Sequence, residues 1–64
     1  NITYDGNDNI LTVIYATGNK EDWVRTSELT HIDYYDTDGL TKLATNAFTY
    51  DGSGRLLTSV WTTL

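Results

Sequence analysis

Apolar residues occur along this chain in short runs, separated by clusters of Gly, Asn, Asp, Ser and Thr. The clusters read DGNDN, ATGNKED, DTDGL and DGSGR, and their residues tolerate the positive φ angles of tight turns. The runs between them are rich in β-branched and aromatic residues, which favour strands. The pattern predicts an all-β fold, an antiparallel β-meander of four or five strands built from repeated hairpins. We place the strands at residues 2–4, 10–17, 23–35, 40–50 and 56–64.

A helix over residues 19–31 is an alternative that the sequence leaves open. Asn19 would be its N-cap, followed by acidic residues in the first turn. Against the helix, Trp23, Val24 and Leu29 do not form a stripe with a 3.6-residue period. A strand is the favoured interpretation of this segment.

Both faces of the predicted strands are partly apolar. In the second strand Leu11 and Val13 point to one face, while Ile10 and Ile14 point to the other. A sheet with one face in solvent would alternate more cleanly between apolar and polar residues. We therefore expect each face to meet a neighbouring sheet or another subunit.

The size of the chain leads to the same expectation. A chain of 64 residues buries only about 60% of the surface that it exposes when unfolded. It has no Cys and one His, so disulfides and thiolate zinc sites do not stabilise it. Contact with other copies, or with further repeats of the same polypeptide, is the expected substitute. The chain begins with Asn and has no Met, so we interpret residues 1–64 as a single β-repeat module, a processed product or a fragment of a longer chain.

One short sequence motif, which begins with Tyr-Asp and which we call the phrase, recurs along the chain. The segment from Tyr4 to Ile14 aligns with the segment from Tyr50 to Val60 without a gap, and a third copy joins them if one turn residue is deleted, with Leu40 against Ile10. A further copy near residues 18–22 has turn residues but no Tyr-Asp. We expect Tyr to pack across the neighbouring strand, Asp to accept hydrogen bonds from turn amides, and Gly to supply the turn conformation. The residues of this turn motif are Tyr4, Asp5, Gly6, Tyr35, Asp36, Gly39, Tyr50, Asp51, Gly52 and Gly54.

The copy YDGSGRL at residues 50–56 resembles the YD repeat, the Rhs-type tyrosine-aspartate repeat. The core of that repeat reads Tyr-Asp, two loose residues, Gly-Arg-Leu and a strand. The first copy departs from it, with Asp8 and Asn9 in place of Gly-Arg. Similar hairpins occur in bacterial surface proteins and phage virion proteins. The resemblance implies a non-catalytic β scaffold, outside a cell or on a particle, made by pairing successive hairpins.

The charge of the chain restricts its partners. Nine acidic residues against four basic ones give a net charge of −5, which argues against a nucleic-acid partner. The most apolar run, residues 10–16, is too short to cross a membrane as a helix, so no membrane insertion is predicted.

Two groups of turn residues are weak calcium candidates: Asp5, Asn7 and Asn9 in the first turn, and Asp36 and Asp38 in the third. The first group has the D-x-N-x-N spacing that opens a calcium loop. The Gly and Glu that an EF-hand requires further along are missing. Ordinary Asx turns are the favoured interpretation, and neither a metal nor another cofactor is predicted.

Catalysis is not predicted either. Ser53 lies in GSG and not in the G-x-S-x-G turn of esterases, and His31 has no nucleophile placed beside it by the sequence. Trp23, Tyr34 and Trp61 are candidates for packing or for stacking on a glycan. We expect a structural or adhesive building block of an oligomeric extracellular, cell-surface or virion-surface assembly such as a fibre. A carbohydrate-binding module is the alternative, and a fragment of a secreted enzyme or toxin is the third possibility.

Overall fold

Six strands follow one another along the chain and pair in the same order, so that the sheet is an open antiparallel meander with β1 and β6 at its edges. The computed structural model describes residues 1–64. Its strands are β1 Ile2–Tyr4, β2 Ile10–Ile14, β3 Lys20–Arg25, β4 Leu29–Tyr35, β5 Lys42–Tyr50 and β6 Leu56–Thr63. The predicted all-β antiparallel meander is confirmed, with six strands in place of the predicted four or five. No helix long and apolar enough to cross a membrane is present.

The extra strand comes from residues 23–35, which were predicted as one long strand and instead contain a turn. The backbone N–H of Thr26 donates to the carbonyl of Glu28 at 3.0 Å and closes a tight connection between β3 and β4. That turn contains no Gly, Asn or Asp, so composition does not reveal it. The alternative of a helix over residues 19–31 is wrong, because the backbone groups of β3 and β4 pair with each other across the hairpin.

Three of the connections share one backbone geometry. In the five-residue turn 5–9, the N–H of the first residue, Asp5, donates to the carbonyl of the last residue, Asn9, at 2.8 Å. The N–H of the fourth residue, Asp8, donates to the carbonyl of Asp5 at 3.2 Å. Turn 51–55 repeats these bonds at 2.9 and 3.1 Å, and turn 15–19 repeats both at 2.9 Å. The fourth residue always has a positive φ: 63° at Asp8, 95° at Gly18 and 81° at Gly54. The copy without Tyr-Asp therefore has the same backbone turn, although it begins at residue 15 and ends β2 earlier than predicted.

The third copy of the phrase differs from its predicted alignment. Its turn runs from Asp36, whose N–H donates to the carbonyl of Thr41 at 2.8 Å, and is one residue longer than the others rather than shorter. Tyr35 consequently pairs with Lys42 and not with Leu40. Leu40 is the inserted residue, and its side chain is exposed.

The register of the strands assigns alternate residues to two faces. We call one the aromatic face, defined by Leu11, Val13, Trp23, Ile32, Tyr34, Phe48, Leu57 and Trp61. We call the other the charged face, defined by Lys20, Asp22, His31, Asp33 and Lys42. The charged face also carries the apolar side chains of Val24 and Val60, so apolar residues do occur on both faces.

The core of this sheet is very small. Only Ile32, Asp33 and Asn46 are buried, in the central strands β4 and β5. The molecule measures 38 × 29 × 14 Å, so it is a single layer. Ordinary domains bury a sheet face against a second layer, and this chain supplies none.

Candidate interaction surfaces

Asp5 and Asp51 stabilise their turns in the same way. The Oδ1 atom of Asp5 accepts the N–H groups of Asn7 at 2.8 Å and Asn9 at 3.0 Å. The Oδ1 atom of Asp51 accepts the equivalent N–H groups of Ser53 and Arg55, again at 2.8 and 3.0 Å. The amides of Asn9 and then Asn7 favour the ionised carboxylate and hold the pKa of Asp5 below its usual value.

The third turn uses two carboxylates. Asp36 accepts the N–H of Thr37 at 2.7 Å. Asp38 accepts the hydroxyl of Thr41 at 2.5 Å and the N–H groups of Leu40 and Thr41, both at 2.8 Å. The Thr41 hydroxyl, followed by these amides, lowers the pKa of Asp38 to about 2. The longer turn thus relies on a second Asp that the other turns do not have.

The calcium candidates lie in these turns. Asp5, Asn7 and Asn9 share the first turn, and Asp36 and Asp38 share the third, where carboxylate oxygens accept hydrogen bonds from the turn itself. The chain has no group of three or more His, Cys, Asp or Glu side chains arranged to hold a metal ion.

The glycines and tyrosines of the phrase have unequal roles. Gly6 and Gly52 do not have positive φ angles, because the left-handed position of each turn falls two residues later. Among the tyrosines, Tyr50 donates its hydroxyl to the Leu29 carbonyl at 2.7 Å. The ammonium of Lys20 lies over the ring of Tyr35, 4.6 Å from the ring centroid. Tyr4 is exposed at the edge of the sheet.

All three aromatic candidates lie on the aromatic face. The rings of Tyr34 and Trp61 stack, with centroids 4.9 Å apart and planes inclined by 30°. Trp61 nevertheless remains 60% exposed. The indole N–H of Trp23 donates to Glu21 Oε1 at 2.9 Å, and the hydroxyl of Tyr15 donates to the other oxygen of the same carboxylate. The aromatic face therefore carries one carboxylate, that of Glu21, which accepts hydrogen bonds from both of these aromatic side chains.

These contacts also change the ionisation of the tyrosines. The hydrogen bond that Tyr15 donates to Glu21 is the main cause of its raised pKa. Burial raises the pKa of Tyr34, and the negative charge of Glu21 adds to the effect. Sequence reasoning missed Glu21 and Tyr15 as members of this surface, although their spacing from Trp23 and Val13 along the strands places them on one face.

The charged face centres on Asp33, which is 7% exposed. Asp33 accepts the hydroxyl of Thr45 at 2.8 Å, and it lies 3.3 Å from Lys42 Nζ and 3.5 Å from His31 Nε2. Burial raises the pKa of Asp33, but the hydrogen bonds from Thr45 and Lys42 and the nearby charges outweigh it and hold the pKa below normal. Sequence reasoning did not identify this cluster, because its members come from β4 and β5 and meet only in the observed register.

The sheet offers no cavity that would enclose a small molecule. Comparisons with family models, curated proteins and solved structures match nothing to this chain. The surfaces that the sheet offers to a partner are its two faces, its turns and its edges.

Proposed function

We propose that this chain is a non-catalytic β-repeat building block of an extracellular, cell-surface or virion-surface assembly, in which neighbouring copies or further repeats complete the sheet. One observation carries the proposal: a single layer buries three residues, while Trp61 and Leu57 stay 60% and 63% exposed on the same face. Burying apolar surface against a neighbour contributes about 25 cal/mol of favourable free energy per Å². Large exposed apolar patches are typical of interaction sites.

The edges of the sheet support assembly as well. β6 is eight residues long, reads LLTSVWTT, and carries no charge and no Pro. Proteins that stay monomeric usually protect edge strands with charges, Pro, bulges or a covering segment. The outer edge of β6 has none of the residue types that prevent pairing. It is a template on which another strand can add.

The repeated turns support the repeat character of the proposed module. Three turns with the same backbone hydrogen bonds connect neighbouring strands of one sheet, and two of them use an Asp at the same position. A unit of this kind can be multiplied without changing its local geometry. The YD-like phrase at residues 50–56 is consistent with such a scaffold.

Two measurements test the proposal. Sedimentation of the 64-residue chain should show association at micromolar concentration, with a melting temperature that rises with concentration. A compact monomer with a cooperative, concentration-independent melting transition would overturn it. Antibodies against the chain should label intact cells or particles of its source, and labelling only after permeabilisation would contradict the proposed location.

Carbohydrate binding is the second candidate, and the exposed Tyr34–Trp61 stack favours it. The C–H face of a sugar ring stacks on aromatic side chains, and Trp23 lies on the same face of the sheet as this stack. A glycan array should then show saturable binding that Trp61→Ala abolishes. Val60→Ala, in the same strand on the charged face, is the matched control and should leave binding intact. Absence of binding by the wild-type chain removes this candidate.

A further inference from the structure

Two polar side chains on the aromatic face, those of Glu21 and Asn46, are paired within the chain. Glu21 accepts hydrogen bonds from Trp23 and Tyr15, and the Oδ1 atom of Asn46 accepts the Ser59 hydroxyl at 2.8 Å. Covering a polar group is costly mainly when it is left without a partner. This face can therefore lose its water without leaving those groups unsatisfied.

Acidic residues are concentrated away from the aromatic face. Glu21 is the only acidic residue of the strands on that face, because Asp22 and Asp33 lie on the charged face and the other acidic residues lie in the turns. Two aromatic faces can meet although each chain carries a net charge of −5. The charged face presents two Lys, two Asp and a His, and burying these groups would cost their desolvation even though they pair with one another.

The area of the face suits a partner of the same size. The sheet measures 38 × 29 Å in its own plane, and that footprint exceeds the ~800 Å² that each partner contributes to a standard interface. Each single layer is 14 Å thick, and two sheets stacked about 10 Å apart form a sandwich. A smaller peptide would leave part of the aromatic face in water.

We infer that the aromatic face is the interface between two copies of this chain, packed face to face as a two-layer β-sandwich around Trp23, Phe48, Leu57 and Trp61. The inference rests on the proposed function and specifies which surface completes the sheet. An isologous pair brings the same patch from both copies together and closes on itself. The uncharged edge of β6 stays free in such a dimer, so dimers can still join edge to edge.

The test compares two substitutions in one strand. Leu57 and Val60 are similarly exposed, at 63% and 55%, but they lie on opposite faces of β6. Sedimentation equilibrium should show that Val60→Lys dimerises like the wild type, whereas Leu57→Lys weakens dimerisation by about a hundred-fold, a loss in the range of an interface hot spot. A parallel measurement needs no substitution: iodide quenching of tryptophan fluorescence in the wild type should fall as chain concentration rises.

Each other result overturns the inference in a recognisable way. If Val60→Lys breaks the dimer and Leu57→Lys does not, the charged face is the interface and the proposed function still stands. If both variants dimerise, the copies join through an edge, and the face-to-face arrangement is wrong. If the wild type is a stable monomer at all concentrations, or if quenching does not change, the aromatic face is not an interface, and the stable monomer also removes the proposed function. Circular dichroism checks that both variants keep their strands, and Leu57→Ser replaces Leu57→Lys if the latter unfolds.

Discussion

Gly18 is the glycine on which the structure places the strictest requirement. Its φ is 95°, a left-handed conformation that costs an L-residue about 1–2 kcal/mol. A Cβ atom at this position would also overlap the backbone carbonyl oxygen of Thr37, in the turn between β4 and β5. A backbone atom cannot swing aside as a flexible side chain can, so two turns would have to separate. We expect Gly18→Ala to lower the free energy of unfolding by about 3 kcal/mol.

Gly39 provides the matched control. Its φ is 69°, but a Cβ there meets no atom within 4 Å. Gly39→Ala should therefore lose only the backbone contribution, about 1 kcal/mol. Urea titration followed by tryptophan fluorescence measures both, at one chain concentration because association adds to stability. Equal losses for the two variants would refute the argument that the approach of turn 15–19 to Thr37 constrains Gly18.

Three further predictions concern the carboxylates. The folded state should lose stability as the pH falls from about 4 to about 2, because Asp38 has a pKa of about 2 against 3.8 for the free group. In that range Asp38 stays ionised in the folded chain but is protonated in the unfolded chain. Asp38→Asn should flatten that part of a stability–pH profile, and an unchanged profile would contradict the prediction. Asp33→Ala should lower the free energy of unfolding by about 1–3 kcal/mol in urea titrations, because Thr45 and Lys42 lose hydrogen bonds to a charged acceptor. The loss should exceed that of Asp36→Ala, whose carboxylate is exposed, and the reverse order would be evidence against the Asp33 cluster. Asp5→Ala and Asp51→Ala should lower the free energy of unfolding by similar amounts, because each removes the acceptor of two turn amides, and a clear inequality would show that the two turns are not equivalent.

The fold class could be predicted from the sequence because most of its turns have a characteristic composition. Asp5, Gly18, Gly39 and Asp51 lie in clusters of residues that favour turns, and four of the five strand connections were found in this way. The fifth, at residues 26–28, was missed because Thr, Ser and Glu are also common in strands. Its turn forms because the flanking segments pair as β3 and β4, a tertiary effect that local composition does not encode.

The surfaces were predictable only in part. Trp23, Tyr34 and Trp61 were recognised as an aromatic set, but the stack of Tyr34 on Trp61 depends on the register of β5 between their strands. A shift of one residue in either hairpin would move one ring to the opposite face. The extra residue Leu40 in the third turn shows why that register could not be assigned beforehand. The Asp33 cluster was missed for the same reason.

Small-angle X-ray scattering over a dilution series tests the central claim most directly. One chain forms a layer 14 Å thick, and a second sheet stacked about 10 Å away would give a particle roughly 24 Å thick. The face-to-face arrangement predicts the thicker particle at high concentration and a loss of fixed structure as dilution separates the copies. A well-ordered particle one layer thick at every concentration would contradict it.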